Sequence, residues 1–265
     1  MRIPVDGHVH FHNIRRVAAT LDAAASNFAA VSPGNRALRG VLLLTQASGE
    51  RVFEQLAGGT VREGWRFEGV AGEPETVLAR KNGVAIAIVC GRQVRSRNGL
   101  EVLALGTCRN FPDGREIEQA LADVRGSGAM PVIPWGFGKW LGARGTRVRT
   151  VLDANGESAV SVGDNGGRLA VWGVPALVRD SARRGFRVVP GTDPFPFGDD
   201  YRRVGAFGFL TEADVDPSKP WRSLRAWLES SPRSPQSFGA ACGPVRFFVN
   251  QVGMQFYNRF LRKVG

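Results

Sequence analysis

Residues 5–12 read Val-Asp-Gly-His-Val-His-Phe-His and contain every histidine of the 265-residue sequence. Side chains alternate between the two faces of a β-strand, so Asp6 and the three histidines are predicted to share one face. Two imidazoles two residues apart can reach one metal ion, and neutral imidazole is a common metal ligand. A His-x-His pair also occurs at exposed edges and in polar cores. The clustering of all histidines beside an aspartate in phase favours a metal site.

The net charge of +11 is carried almost wholly by arginine, since the sequence has only four lysines. This balance favours anionic partners such as phosphate esters, nucleic acid or an anionic membrane surface, although compositional bias gives the same charge on a solvated surface. No nucleic-acid-binding module or stacking motif is recognisable, so nucleic acid is the least favoured of these partners.

Three widely spaced cysteines, Cys90, Cys108 and Cys242, form no C-x-x-C pair. An odd number without a framework spacing argues against structural disulfides and predicts a reducing cytoplasmic environment. No secretory h-region precedes the histidine stretch, and no apolar run reaches transmembrane length.

The chain changes character twice along its length. An apolar run at residues 41–45 predicts a strand buried on both faces. Residues 65–107 alternate short β-prone pieces with Asn-Gly turns, which predicts antiparallel hairpins. Polar breaks then follow predicted strands near Trp135, Asp164 and Asp193, about 29 residues apart, the length of a βα unit. Chemistry is usually placed at such strand ends.

Several segments, in order, resemble the motifs of one family, the PHP (polymerase and histidinol phosphatase) family of metal-dependent phosphoesterases akin to amidohydrolases. Residues 6–10 are similar to its first motif, 99–106 to its middle strand, 116–134 to a helix and strand that normally end in His-Pro, and 185–193 to its closing Gly-Ser-Asp-Ala-His motif. The similarity covers most of residues 1–195, and the first and last motifs are its most specific parts. It implies a distorted barrel of seven parallel strands.

The sequence departs from the family pattern at two ligand positions. Pro134-Trp135 stands where the family has a histidine after its strand, and Phe195 replaces the closing histidine. The resemblance therefore carries over only His8, His10 and Asp193 as ligands. Two imidazoles with one or two carboxylates can hold one Zn²⁺, Mn²⁺ or Fe²⁺ and leave a position for water. We expect one ion per chain, not three.

The resemblance implies a metal-dependent hydrolase, of phosphoesterase or amidohydrolase type, acting on a small anionic substrate through a metal-activated water. Asp164 is a candidate general base, or a fourth ligand by position alone, and Lys139 or Arg168 is expected to hold the anionic group. The missing histidines favour a second hypothesis, a catalytically degenerate barrel that binds a ligand or protein without turnover.

The predicted architecture is α/β, a TIM-like distorted (β/α)7 barrel over residues 1–240, with the β-rich segment 65–107 inside it. Composition alone fits two small domains equally well. Residues 241–265 form a predicted amphipathic helix, rich in aromatic residues and flanked by basic ones. Such a helix either docks on the barrel or lies on an anionic membrane, which makes a peripheral membrane contact the second expectation for this segment.

Overall fold

Two mixed β-sheets, seven α-helices and three short 3-10 helices make up the regular structure of the described chain. The structure is a computed structural model that covers residues 2–34, 37–59, 61–212, 214–231 and 234–256. The strands are Pro4–Val9 (β1), Gly40–Leu44 (β2), Val61–Arg62 (β3), Trp65–Val70 (β4), Glu73–Lys81 (β5), Val84–Val89 (β6), Gly91–Arg95 (β7), Glu101–Leu105 (β8), Met130–Pro134 (β9), Ser161–Asn165 (β10), Val188–Gly191 (β11), Phe207–Leu210 (β12) and Gln236–Gly239 (β13). The α-helices are Val17–Val31 (α1), Val52–Ala57 (α2), Ile117–Gly126 (α3), Ala143–Asn155 (α4), Ala176–Arg183 (α5), Pro220–Ser230 (α6) and Pro244–Phe256 (α7).

The first sheet has eight strands in the order β13-β12-β1-β2-β6-β5-β4-β3, and the second has five in the order β11-β10-β9-β8-β7. The pairs β1–β2, β2–β6, β9–β10 and β10–β11 are parallel, and the remaining pairs are antiparallel. Each sheet is therefore mixed. The parallel strands lie at the centre of the first sheet and along one side of the second.

The predicted seven-stranded TIM-like barrel is wrong, because the strands of the described residues form two sheets and no closed ring. The middle of the chain explains the difference. Residues 91–105 fold into the antiparallel hairpin β7–β8 around a turn in which Gly99 has a φ of +79°. Strand β8 then pairs antiparallel with β9. The hairpin predicted at this Asn-Gly turn is present, and the antiparallel pairing of β8 with β9 interrupts the run of parallel strands that the barrel requires.

The core is layered around β2, whose five residues are all buried. Leu42 and Leu44 pack on the α1 side, in the cluster that contains Phe28. Val41 and Leu43 face the other way and pack between the sheets, in the cluster that contains Val132 of β9. Alternation with a period of two thus buries both faces of this strand.

Two glycines allow the sheets to approach closely beside β1 and β11. A Cβ on Gly191 would lie 2.1 Å from the backbone nitrogen of His8, and one on Gly7 would lie 2.5 Å from the carbonyl oxygen of Pro190. Only residues without a side chain permit this approach. It brings the end of β1 against the end of β11, where the candidate metal ligands stand.

Helix α7 packs through Phe247, which is buried in a small cluster with Leu169 and Cys242. Cys90, Cys108 and Cys242 are free thiols. Among the helices in the described ranges, none has the length and apolar character needed to cross a membrane. The part of the predicted C-terminal helix beyond Phe256 lies outside the described residues.

Candidate metal centre

His8, His10 and Asp193 converge on one point between the two sheets. The Nε2 atoms of the two histidines lie 3.1 Å apart. The Oδ1 atom of Asp193 lies 3.6 Å from Nε2 of His8 and 3.5 Å from Nε2 of His10. Both imidazoles are buried, whereas the carboxylate is about one quarter exposed. Within the described ranges, this is the only group of three or more histidine, cysteine or acidic side chains arranged to hold a metal ion.

An irregularity in β1 separates Asp6 from the histidines. The pairing register between β1 and β2 shifts between Asp6 and Val9, and Val5 and Val9 consequently pack in different core clusters. The carboxylate of Asp6 accepts hydrogen bonds from the backbone N–H and hydroxyl of Thr192, at 2.8 and 2.6 Å, and from Gly205 N–H at 2.9 Å. Asp6 therefore fixes the loop that carries Asp193 and is not placed beside the two imidazoles.

Asp193 follows β11 in an uncommon backbone conformation. Its φ of +46° lies in the left-handed region, which costs energy for a residue other than glycine and is concentrated at functional sites. Its N–H donates to the carbonyl oxygen of His8 at 2.8 Å. The side-chain amide of Asn165, at the end of β10, donates to Oδ2. Asp193 is thus held from both sheets, with Oδ1 directed at the imidazoles.

The electrostatics of the cluster favour the protonation states that bind metal. Burial and the neighbouring imidazoles lower the pKa of His10 to about 3, which keeps its ring neutral. Burial alone raises the pKa of Asp193, but His8, His10, Lys139 and Asn165 together hold it below its ordinary value. Neutral imidazole and ionised carboxylate are the forms that donate to a cation.

Two neutral oxygen atoms lie close to the histidine nitrogens. Oε1 of Gln93 is 3.4 Å from Nε2 of His8, and Oγ1 of Thr45 is 3.5 Å from Nε2 of His10. Two imidazole nitrogens, one carboxylate oxygen and a nearby amide oxygen form a donor set suited to Zn²⁺, Mn²⁺ or Fe²⁺. The residues present therefore fit one divalent ion.

His12 lies beside the cluster with different partners. Its ring stacks on that of His10 with centroids 5.0 Å apart, Nε2 lies 2.8 Å from the carbonyl oxygen of Pro194, and Nδ1 lies 3.8 Å from Oε1 of Glu50. Burial alone lowers the pKa of His12, but Glu50 and the Pro194 carbonyl raise it above its ordinary value. His12 also lines a pocket of about 120 Å³ with Arg16 and others. This space is small compared with sites for drug-sized ligands.

The three residues predicted to act on the substrate are all paired with charged partners. Nζ of Lys139 lies 2.5 Å from a carboxylate oxygen of Glu101. Asp164 and Arg168 form a buried two-bond ion pair, with nitrogen–oxygen distances of 2.9 and 3.1 Å. The positive charge of Lys139 lowers the pKa of Asp193. Within the described residues, the side chains of Asp164 and Arg168 pair with each other and make no hydrogen bond or ion pair with His8, His10 or Asp193. Their catalytic roles stay predictions.

Sequence reasoning missed Asn165 and Gln93. Asn165 lies one residue beyond Asp164, and alternation along β10 turns these two side chains to opposite faces. The sequence therefore located the end of this strand to within one residue, but it did not show which of the two side chains faces the metal cluster. Gln93 lies in β7, whose place beside β2 follows from the hairpin, and a lone glutamine carries no metal signal in a sequence.

The whole fold is similar to two solved structures. The structure of PsfC from Pseudomonas syringae PB-5123 matches with a TM-score of 0.60 and 18% identity, covering 96% of this chain and 98% of that chain. The structure of the lesion-specific endonuclease PfuEndoQ from Pyrococcus furiosus matches with a TM-score of 0.51 and 12% identity, covering 89% of this chain. This chain spans only 58% of the length of PfuEndoQ.

These likenesses, at low identity, support a PHP-like fold. They do so although the strands do not close into the predicted barrel. No protein-family model and no curated protein sequence matches the chain.

Proposed function

We propose that this protein is a metal-dependent hydrolase that cleaves a phosphoester in a small anionic substrate. The convergence of the two histidine Nε2 atoms and Asp193 Oδ1 within 4.8 Å carries the proposal. A second consideration agrees with it at a coarse level, since one protein of similar fold is described as a lesion-specific endonuclease. The identity of the metal and of the substrate is left to experiment.

His8, His10 and Asp193 would hold the ion. A divalent cation in such a site lowers the pKa of a bound water to roughly 7 and polarises a phosphoryl oxygen. The side-chain amide of Asn165 donates a hydrogen bond to Oδ2 of Asp193 and so orients the carboxylate. Oδ1 would then be the oxygen that coordinates the ion. Burial of both imidazoles excludes bulk water from the inner side of the cluster.

Of the two residues predicted to hold an anionic group, Lys139 is the one whose charge acts on Asp193. The Lys139 ammonium is about one third exposed and is the predicted residue for holding an anionic group. Asp164 would have to leave Arg168 before it accepted a proton, and Arg168 would then be released to bind an anion. Both predicted roles, Asp164 as general base and Arg168 as anion-binding group, therefore require this ion pair to break.

Metal content and hydrolysis, measured on the same samples, test the proposal. Protein purified without a chelator or histidine tag should hold one ion per chain by elemental analysis and hydrolyse p-nitrophenyl phosphate or its diester. The variants His10→Ala and Asp193→Ala should lose both properties, because each removes a converging donor. The exposed carboxylate of Asp153 supplies a matched control, Asp153→Asn, which should keep both.

The alternative function, binding without turnover, makes a different prediction. A protein that holds no ion and cannot be reloaded with Zn²⁺, Mn²⁺ or Fe²⁺ would contradict the proposal. A loaded protein that hydrolyses no phosphoester, other ester or amide would favour a ligand- or protein-binding role for the same fold.

A further inference from the structure

Helix α7 carries a stripe of large apolar side chains that faces away from the protein. Its members are 61–78% exposed and recur at positions i, i+3, i+4, i+7 and i+11. They are Val245, Phe248, Val249, Val252 and Phe256. This period is the one a helix uses to bury one face. Here the stripe is instead presented outward.

The opposite face of α7 fixes this orientation. Phe247 and Asn250 are buried. Phe247 makes edge-to-face contacts with the rings of Phe137 and Trp172, at centroid distances of 5.2 and 5.0 Å. A Cβ on Gly253 would lie 2.7 Å from the ring of Phe197, so the helix approaches that ring as closely as only glycine permits. Because this face of α7 is closely packed against the protein, the stripe on the opposite face is exposed.

The stripe continues into a wider apolar surface on the side of the metal centre. Large exposed apolar side chains also occur after β9 and β10, at Phe137, Leu141, Val171, Trp172 and Val174. A groove of about 720 Å³ runs between the stripe and Phe197. Pro196 and Phe197 line both this groove and the small pocket beside His10. Contiguous apolar surfaces of this kind mark sites of interaction with a protein or a membrane.

The charge of the same region selects between those partners. Glu229 is the last acidic residue in the sequence. The 36 residues that follow it carry positive charges only, at Arg233, Arg246, Arg259, Arg262 and Lys263. In the structure Arg246 is paired with Asp199 and Asp200, at 3.0 and 3.2 Å, so the excess positive charge is a property of the sequence after Glu229. An outward apolar stripe on a helix within such a basic segment is the pattern of a helix that lies in the interface of an anionic bilayer.

We propose that the α7 stripe docks this protein on an anionic lipid bilayer, with the apolar side chains of the stripe inserted among the lipids. The surface after β9 and β10 would extend the contact. The metal centre then opens close to the membrane surface. The proposal does not depend on hydrolytic activity.

Flotation of the full-length protein with vesicles tests the proposal. We expect the protein to float with vesicles that contain phosphatidylglycerol, to float less with pure phosphatidylcholine, and to be released as salt screens the charges. The double variant Phe248→Ser/Val252→Ser should lower the partition coefficient by about tenfold or more, because it removes two inserted side chains. A second pair from the same stripe, Val245→Ser/Val249→Ser, should have the same effect.

A matched control comes from Val61, an apolar residue of β3 that is 65% exposed and lies outside the stripe. The variant Val61→Ser should bind vesicles like the unmodified protein. Circular dichroism and metal content should be unchanged in all variants. Failure of the unmodified protein to float would overturn the proposal, as would normal flotation of both stripe variants. Sedimentation showing a dimer that the stripe variants dissociate, without vesicle binding, would assign the stripe to a second copy of this chain.

Discussion

At the scale of single residues, the candidate metal centre combines three residues that the sequence singles out with two neighbours that it does not. His8, His10 and Asp193 were predicted together, and their atoms converge in the structure. Asn165 and Gln93 were not predicted, although one orients Asp193 and the other places an amide oxygen 3.4 Å from Nε2 of His8. Histidine and aspartate in a motif carry a chemical signal, whereas an amide gains its role only from the neighbours that the fold provides.

Gln93 is expected to supply an oxygen ligand to the bound ion. The variant Gln93→Ala should weaken metal affinity by about 10–100-fold, as is typical when a supporting group of a metal site is removed. Gln93→Glu should strengthen it, since a carboxylate donates more strongly to a divalent cation than an amide does. Isothermal titration with Zn²⁺ and Mn²⁺, and the absorption spectrum of the Co²⁺ form, measure both effects.

The control for this prediction is Gln55→Ala, on the exposed surface of α2, which should leave the affinity unchanged. Equal affinity of the Gln93→Ala variant and the unmodified protein would show that Gln93 does not contact the ion.

The lowered pKa of His10 predicts an acid-sensitive apo protein. An unfolded histidine takes up a proton below pH 6.5, whereas folded His10 does so only near pH 3. The unfolded state therefore binds more protons between these values, and the free energy of unfolding falls as the pH drops through that window. For the chelator-treated protein the loss from pH 7 to pH 5 is expected to be about 1–2 kcal/mol.

Urea unfolding of the unmodified protein and of His10→Gln at both pH values measures this difference. The variant should lose less stability on acidification. Burial raises the pKa of Asp6 to about 6, which acts in the opposite direction, but Asp6 is present in both proteins and cancels in the comparison. An identical pH dependence in the two proteins would contradict the assignment to His10.

At the scale of elements, the predictions succeeded where the apolar pattern was strong. The strand β2 and the antiparallel strands around the Asn-Gly turns were expected close to their observed positions. Helix α4 was missed because its sequence is rich in arginine and has few apolar residues, although Val148, Val151 and Leu152 are buried. The short strands β12 and β13 were also missed. Four residues are too few for periodicity to separate a strand from a loop.

Close packing of β1 against β11 also depends on glycine, and this gives a prediction for Gly191. The variant Gly191→Ala would place a Cβ 2.1 Å from the backbone nitrogen of His8, so the strands must separate. We expect a loss of stability of about 2 kcal/mol or more, as for other backbone and overpacking changes, together with weaker metal binding. Gly126→Ala at the end of α3 is the control, because a Cβ there meets no atom within 4 Å.

Chemical denaturation and metal titration of the two glycine variants decide the point. Gly126→Ala should retain the stability and metal affinity of the unmodified protein. If Gly191→Ala did the same, the separation of β1 and β11 would not govern the geometry of the ligands.

At the scale of the whole molecule, the resemblance picked out three residues that converge in the structure but predicted the wrong sheet architecture. Sequence motifs indicate which residues lie at the ends of strands, and His8, His10 and Asp193 do lie at or next to strand ends in the structure. Closure of a barrel depends on the pairing of every strand in turn, and the β7–β8 hairpin alters that pairing in the middle of the chain. The outward stripe of α7 was visible in the sequence as an excess of apolar residues, but which face is docked follows from the contacts of Phe247 and Gly253.

The division into two sheets predicts a consequence for stability, because the candidate metal ligands come from both. His8 belongs to β1 in the eight-stranded sheet, His10 follows that strand, and Asp193 follows β11 in the five-stranded sheet. An ion bound to all three connects the sheets, and the unfolded chain cannot hold these ligands together. At a free concentration 100 times the dissociation constant, such binding adds about 2.7 kcal/mol to the free energy of unfolding.

We therefore expect the thermal midpoint of the chelated protein to rise by about 5–10 °C when Zn²⁺ or Mn²⁺ is restored, given the usual 2–4 °C per kcal/mol for a chain of this size. Differential scanning calorimetry across a metal titration measures the shift. The variant His10→Ala should show no metal-dependent rise, because one connection between the sheets is lost. A rise of equal size in the variant would mean that the ion stabilises the protein from a site other than the one formed by β1 and β11.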